Sequence, residues 1–62
     1  MRLIYDGIKA ISKNGKSAKY EFFHPRDLRR CFVWIPRSQV REISEHEINI
    51  PDWLWDEIKK KL

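Results

Sequence analysis

Between Arg30 and Arg37 the chain carries five uncharged apolar residues in a row, Cys31-Phe32-Val33-Trp34-Ile35, and then a proline. A short continuous run of that kind reads as a strand buried on both faces. Pro36 has no N–H to give to a sheet ladder, so the strand ends there or runs out to an edge. The rest of the chain must therefore supply a sheet for it to join. Arg37-Ser38-Gln39 follows as a tight turn and sets three polar side chains at the mouth of whatever the strand enters.

The other segments read mainly as strands. Arg2–Tyr5 is a first strand, closed by Asp6-Gly7, a doublet suited to the positive φ angles of tight turns. A second strand spans about residues 8–13, and Asn14-Gly15 is the strongest hairpin signal in the chain. A two-residue loop would put Lys9 and Ile11 on one face with Ala18, Tyr20 and Phe22. A three-residue loop, Lys13-Asn14-Gly15, with Gly15 left-handed, instead pairs Ile8, Ala10 and Ser12 with Tyr20, Ala18 and Lys16. One residue of slip turns every side chain over, so the cleaner apolar face is favoured. The other face, with Lys9, Ile11, Lys19 and Glu21, is then expected to be solvated. The partner strand covers about residues 16–23, the apolar run 31–35, and a last strand 47–50 after a turn at Ser44–Glu47.

The chain closes with a helix over about residues 51–62. Pro51 suits its first position, carboxylates follow near the positive end and lysines gather at the negative end. Asp56 with Lys60 and Glu57 with Lys61 stand four apart in the favourable order. Leu54, Trp55, Ile58 and Leu62 share one stripe, and Trp53 lies off it. These elements predict a single α+β domain over residues 1–62, mainly β. Its expected form is a small, strongly bent antiparallel sheet or partial barrel of four to five strands with one C-terminal helix.

A domain of 62 residues buries only roughly 60% of its unfolded surface and is marginal alone. Cys31 is the only cysteine, so no internal disulfide forms, and a lone thiol in an apolar strand reads as a core residue of a reducing compartment. One cysteine with two distant histidines, His24 and His46, has no metal-site spacing, and no cofactor motif is present. Association remains, and a homo-oligomer with Trp53 at or near a subunit contact is the expectation. No segment is apolar enough to span a bilayer and no signal peptide is visible.

Charge is unevenly spread. Residues 1–41 carry ten Lys/Arg against three Asp/Glu, whereas residues 42–62 carry three against six. A basic front points to a phosphate-bearing partner or to the acidic rear of a neighbouring subunit. Arg26, Arg29 and Arg30 crowd the loop from Pro25 to Arg30, either as a solvated loop or as a phosphate grip, since guanidinium forks match phosphate oxygens in pairs. Catalysis is poorly supported. Ser38 lacks a glycine-flanked elbow, apolar neighbours would raise the Cys31 pKa, and no Gly-rich phosphate loop follows a strand.

Trp34-Ile35-Pro36-Arg37-Ser38-Gln39-Val40, followed by Pro51-Asp52-Trp53-Leu54, resembles a pattern of very small phage and prophage proteins. Those proteins carry W-I-P-basic-S-Q-aliphatic, a short acidic spacer, then P-x-W-L into a terminal helix. The resemblance covers the last half of the chain and implies a phage origin and a host cytoplasm rather than an activity. The loop from Pro25 to Arg30 is longer than that pattern's spacing, so no binding site is carried over. The first reading is a non-catalytic oligomer that sequesters a nucleotide-like ligand, such as a host-defence signal, through Arg26, Arg29, Arg30, Arg37, Ser38, Gln39, Trp34 and Trp53. The alternatives are a single-stranded nucleic-acid-binding accessory protein and a protein-binding inhibitor of a host factor.

Overall fold

The computed structural model describes residues 1–62. Five antiparallel strands form one sheet: β1 (Arg2–Ile11), β2 (Ser17–Phe23), β3 (Arg30–Pro36), β4 (Arg41–Ser44) and β5 (Glu47–Asn49), in the order β3-β2-β1-β5-β4. A 3-10 turn, Arg37–Gln39, joins β3 to β4, and a single helix, α1 (Asp52–Lys59), closes the chain. The edge strands β3 and β4 do not pair with each other, so the sheet is not closed into a barrel. No helix is long and apolar enough to cross a membrane.

One face of the sheet makes the core. Ala18, Tyr20 and Phe22 of β2 lie opposite Ile35, Val33 and Cys31 of β3, and Leu3 of β1 lies opposite Ile48 of β5. Leu54 and Ile58 of α1 complete the buried cluster. Trp55 packs edge-on against Phe22, with ring centroids 6.1 Å apart. Leu3, Phe22, Ile35 and Ile48 are almost wholly out of water, and burying a side chain of that size stabilises by about 1.5–3 kcal/mol.

Several expectations are corrected by this arrangement. Asp6-Gly7 does not turn the chain: β1 runs straight through it as one strand of ten residues. The doublet is absorbed as a bulge between Tyr5 and Gly7, and Gly7 does not take the positive φ that a turn would need. At the hairpin, Gly15 is left-handed as expected, with φ 72°, and Ile8 pairs with Tyr20. A second bulge at Lys9 then shifts the register, so Ile11 rather than Ala10 meets Ala18. The loop is correspondingly wider, closed by the Ser12 N–H donating to the Ser17 carbonyl at 2.9 Å. Side chains hold that width: the Asn14 Oδ1 accepts from the Lys16 N–H at 3.0 Å and from the Ser12 hydroxyl at 2.8 Å.

The run Cys31–Ile35 is buried on one face only. Cys31 and Ile35 point into the core, but Phe32 and Trp34 on the other face are about half exposed. Only one face of this sheet has a helix to cover it, and β3 lies at the edge that Pro36 permits. Arg41–Ser44, left out of the expected strands, forms β4 against β5 across the Glu45-His46 turn, with all four residues exposed. Ile50 falls just beyond β5, yet it is buried, and its N–H donates to the Met1 carbonyl. The helix is shorter than the expected 51–62: Pro51 sits at its N-cap, and Leu62 is outside the core. Its ion pairs are three apart, Asp56 with Lys59 at 3.1 Å and Glu57 with Lys60 at 3.5 Å, because Lys61 lies beyond the last helical turn.

The largest departure is Glu21, which is buried rather than solvated. Its carboxylate receives Lys9 Nζ from β1 and Arg30 Nε from β3, each at 2.9 Å. Alternation from Ile8, which pairs with Tyr20, sets Lys9 on the Glu21 face, and the bulge there leaves Ala10 rather than Lys9 opposite Lys19. Glu21 holds the Lys9 ammonium above its ordinary pKa of 10.5, first through the hydrogen bond and then through charge. A raised lysine pKa gives stability that is complete below the unfolded value and fades as pH rises through the folded one.

Two predictions follow from the hairpin and the carboxylate. Gly15→Val should cost about 1–2 kcal/mol, since a β-branched residue resists a left-handed backbone, and urea denaturation measures it. Removing both cations, K9M with R30M, should destabilise by about 3 kcal/mol, because it strands a buried charge. E21M should cost less, because the two cations it releases are half exposed and turn to water. In the same assay, wild type should lose more stability than E21M as the pH is raised past 10.5.

Candidate functional site

Proline shapes the connection from β2 to β3. His24 precedes Pro25 and is held extended, then the chain doubles back. The His24 N–H donates to the Arg29 carbonyl at 2.7 Å, and the Leu28 N–H to the His24 carbonyl at 2.8 Å. Leu28 takes a left-handed backbone with φ 57°, which is costly for a leucine, and the residue is largely exposed at the loop tip. Asp27 Oδ1 accepts the Arg29 N–H at 3.1 Å. That bond, with the nearby Arg29 charge, holds the Asp27 carboxyl below its ordinary pKa. The Arg26 N–H lies 3.1 Å from His24 Nδ1, which is also 3.5 Å from Asp27 Oδ1.

The helix packs against this loop through one side chain. The Trp55 ring lies 5.6 Å from the His24 ring, tilted by 59°. Lys59, four residues on, shares that side of α1. The result is a cleft of about 620 Å³ whose wall includes Met1, His24, Pro25, Arg26, Arg29, Trp55, Lys59 and Leu62. Its volume falls in the range of small-ligand sites. Arg26 has no carboxylate within ion-pair distance, Arg29 has Asp27 at 3.7 Å, and Lys59 has Asp56 at 3.1 Å, both pairs well exposed. Exposed pairs of this kind exchange readily for a better anion.

Of the eight residues expected to bind ligand, only Arg26 and Arg29 line this cleft, while Arg37, Ser38 and Gln39 stay together at the other end of β3. Arg30 turns to the opposite face of the sheet, where Glu21 holds it over the Phe23 ring. Arg37 lies at the far end of β3, roughly 20 Å along the strand, where its Nη1 donates to the Gly15 carbonyl at 3.4 Å. Ser38 and Gln39 are exposed in the 3-10 turn beside it. Trp34 stands on the outer face of β3, and Trp53 projects from α1 into solvent. The four arginines therefore do not form one grip: a seven-residue strand separates two of them from Arg37, and a buried carboxylate claims the third.

Sequence reasoning missed His24, Trp55 and Lys59 as cleft residues. Trp55 reads as part of the apolar stripe and Lys59 as a partner of the helix dipole. Their spacing of four was the available signal, since it sets an aromatic ring and a cation side by side. Comparison with protein-family models, curated proteins and solved structures gives no match.

Proposed function

We propose that this chain is a non-catalytic binding protein for a phosphate-bearing, nucleotide-like ligand, held between the His24–Arg29 loop and α1. The observation that carries the reading is the meeting of Arg26, Arg29 and Lys59 with the Trp55 ring in one cleft. The first two come from a loop and the others from a helix some thirty residues later, so the convergence belongs to the fold and not to local sequence. Guanidinium forks pair with phosphate oxygens, and an indole offers a base its π-face. The resemblance to small phage proteins gives such a binder a setting, a host cytoplasm in which it sequesters a nucleotide signal made in defence.

Self-association belongs to the same reading. Only eleven of the 62 residues are buried, a thin core for a chain with no disulfide or metal to staple it. Trp53, off the core stripe and 58% exposed, is the subunit contact of this proposal.

Calorimetric titration of ATP, as the probe, into wild type and into an R26E/R29E variant tests the reading. Wild type should saturate at a fixed count per oligomer, and the double variant should bind about a hundredfold more weakly or not at all, with its fold intact. Arg30 is left alone because it holds Glu21. Absence of ATP binding, or equal binding by the variant, overturns the cleft. In sedimentation at micromolar concentration the protein should run larger than 7.6 kDa, and a clean monomer overturns the assembly.

A further inference from the structure

The face of the sheet that no helix covers carries a second arrangement of rings and cations, apart from the cleft. Backbone pairing places Lys19 beside Trp34 and Glu21 beside Phe32 on that face. Phe32 and Trp34 are 51% and 49% exposed, too much ring surface in water for a core role. Two residues apart on one strand, they stand roughly 7 Å from each other on the same side. Lys19 Nζ lies 5.8 Å from the centre of the Phe32 ring. On β1, across β2 from the rings, Gly7 beside Glu21 leaves open space, with nothing within 4 Å of where a Cβ would be.

Charge decides what such a face fits. Of the cations there, Lys9 and Arg30 share the buried carboxylate of Glu21, and Lys19 stands apart from it. Asp6 of β1 adds a second carboxylate near enough to act on Lys9, Lys19 has no acidic partner, and the face is left with an excess of one positive charge. A second copy laid on it would bring like charges together in a drying interface. A polyanion would neutralise them. The rings need partners with an open π-face, which bases in a duplex do not present and unpaired bases do.

We infer that the uncovered face of β1, β2 and β3 binds single-stranded nucleic acid. Successive bases stack on Phe32 and Trp34, and Lys19 swings off the Phe32 ring to meet the backbone phosphates. Arg30 and Lys9 stay on Glu21 and supply positive potential without leaving it. This site is independent of the cleft: it takes a polymer over an open surface, whereas the cleft takes one phosphate-bearing group.

Anisotropy of a short fluorescent oligothymidine, alone and as a duplex, tests the inference. Wild type should bind the single strand more tightly than the duplex, and its tryptophan emission should be quenched on binding. The logarithm of affinity should fall with the logarithm of salt with a slope of about −0.7, as expected for the one phosphate contact that Lys19 makes. F32A and W34A should each weaken binding about tenfold, and W34F should bind with much of the quenching gone. K19E should weaken binding and flatten the salt dependence. Because Lys19 is partly exposed and outside the buried carboxylate cluster, K19E decides the matter if an aromatic variant fails to fold. R26E/R29E should still bind oligothymidine, so failure of the cleft and failure of this face are told apart. The inference is overturned if wild type does not bind, or if folded F32A, W34A and K19E bind as wild type does. It is also overturned if only R26E/R29E loses binding, or if F32A/W34A converts an oligomer to monomer with oligothymidine binding unchanged.

Discussion

A carboxylate on the central strand, out of water and answered from both sides, organises this small sheet. Glu21 draws one cation from β1 and one from β3, so three strands are joined at a single point by charge as well as by their ladders. The cost of burying a carboxylate is met only if both partners arrive. That requirement couples features far apart in the chain: the alternation that sets Lys9 on the Glu21 face of β1, and the register that sets Arg30 beside Phe23. Slipping β3 by one residue would send Arg30 to the core side and Cys31 to water. The ion triad is thus a register device, and apolar burial on the opposite face supplies most of the stability.

That role also divides the arginines. Arg30, adjacent in sequence to Arg29, is committed to the sheet, while Arg29 and Arg26 sit on a loop that nothing comparable restrains. Consecutive residues entering a strand point to opposite faces, so a basic cluster that looks single in one dimension is split in three. The cation that joins Arg26 and Arg29 is Lys59, from the last turn of α1.

Much of the architecture was legible beforehand, and the errors have a common origin. The left-handed Gly15, the edge position that Pro36 imposes, the turn before β5 and the terminal helix each follow from chemistry local to a few residues. Bulges do not: whether Asp6-Gly7 folds back or is swallowed by a longer strand depends on whether β5 waits on the far side to pair with Arg2–Ile4. Phe32 and Trp34 look like core in a run of five apolar residues, and only the count of covering layers shows otherwise. Of the site, the arginines at 26 and 29 were visible, but Trp55 and His24 were not, because their meeting is a tertiary contact between elements that share no pattern.

The position of β3 at the sheet's edge bears on how the chain avoids sticking to itself in the wrong way. A free edge of uncharged, ring-rich strand is a template on which fibrils grow. Cross-β stacks need about six or seven consecutive residues without charge or proline, and here the stretch is stopped at five by Arg30 on one side and Pro36 on the other. The 3-10 turn then bends the chain away before another extended residue can add to it. The same two residues that delimit the strand act as gatekeepers, leaving its rings available at the surface while denying its backbone the length that amyloid requires.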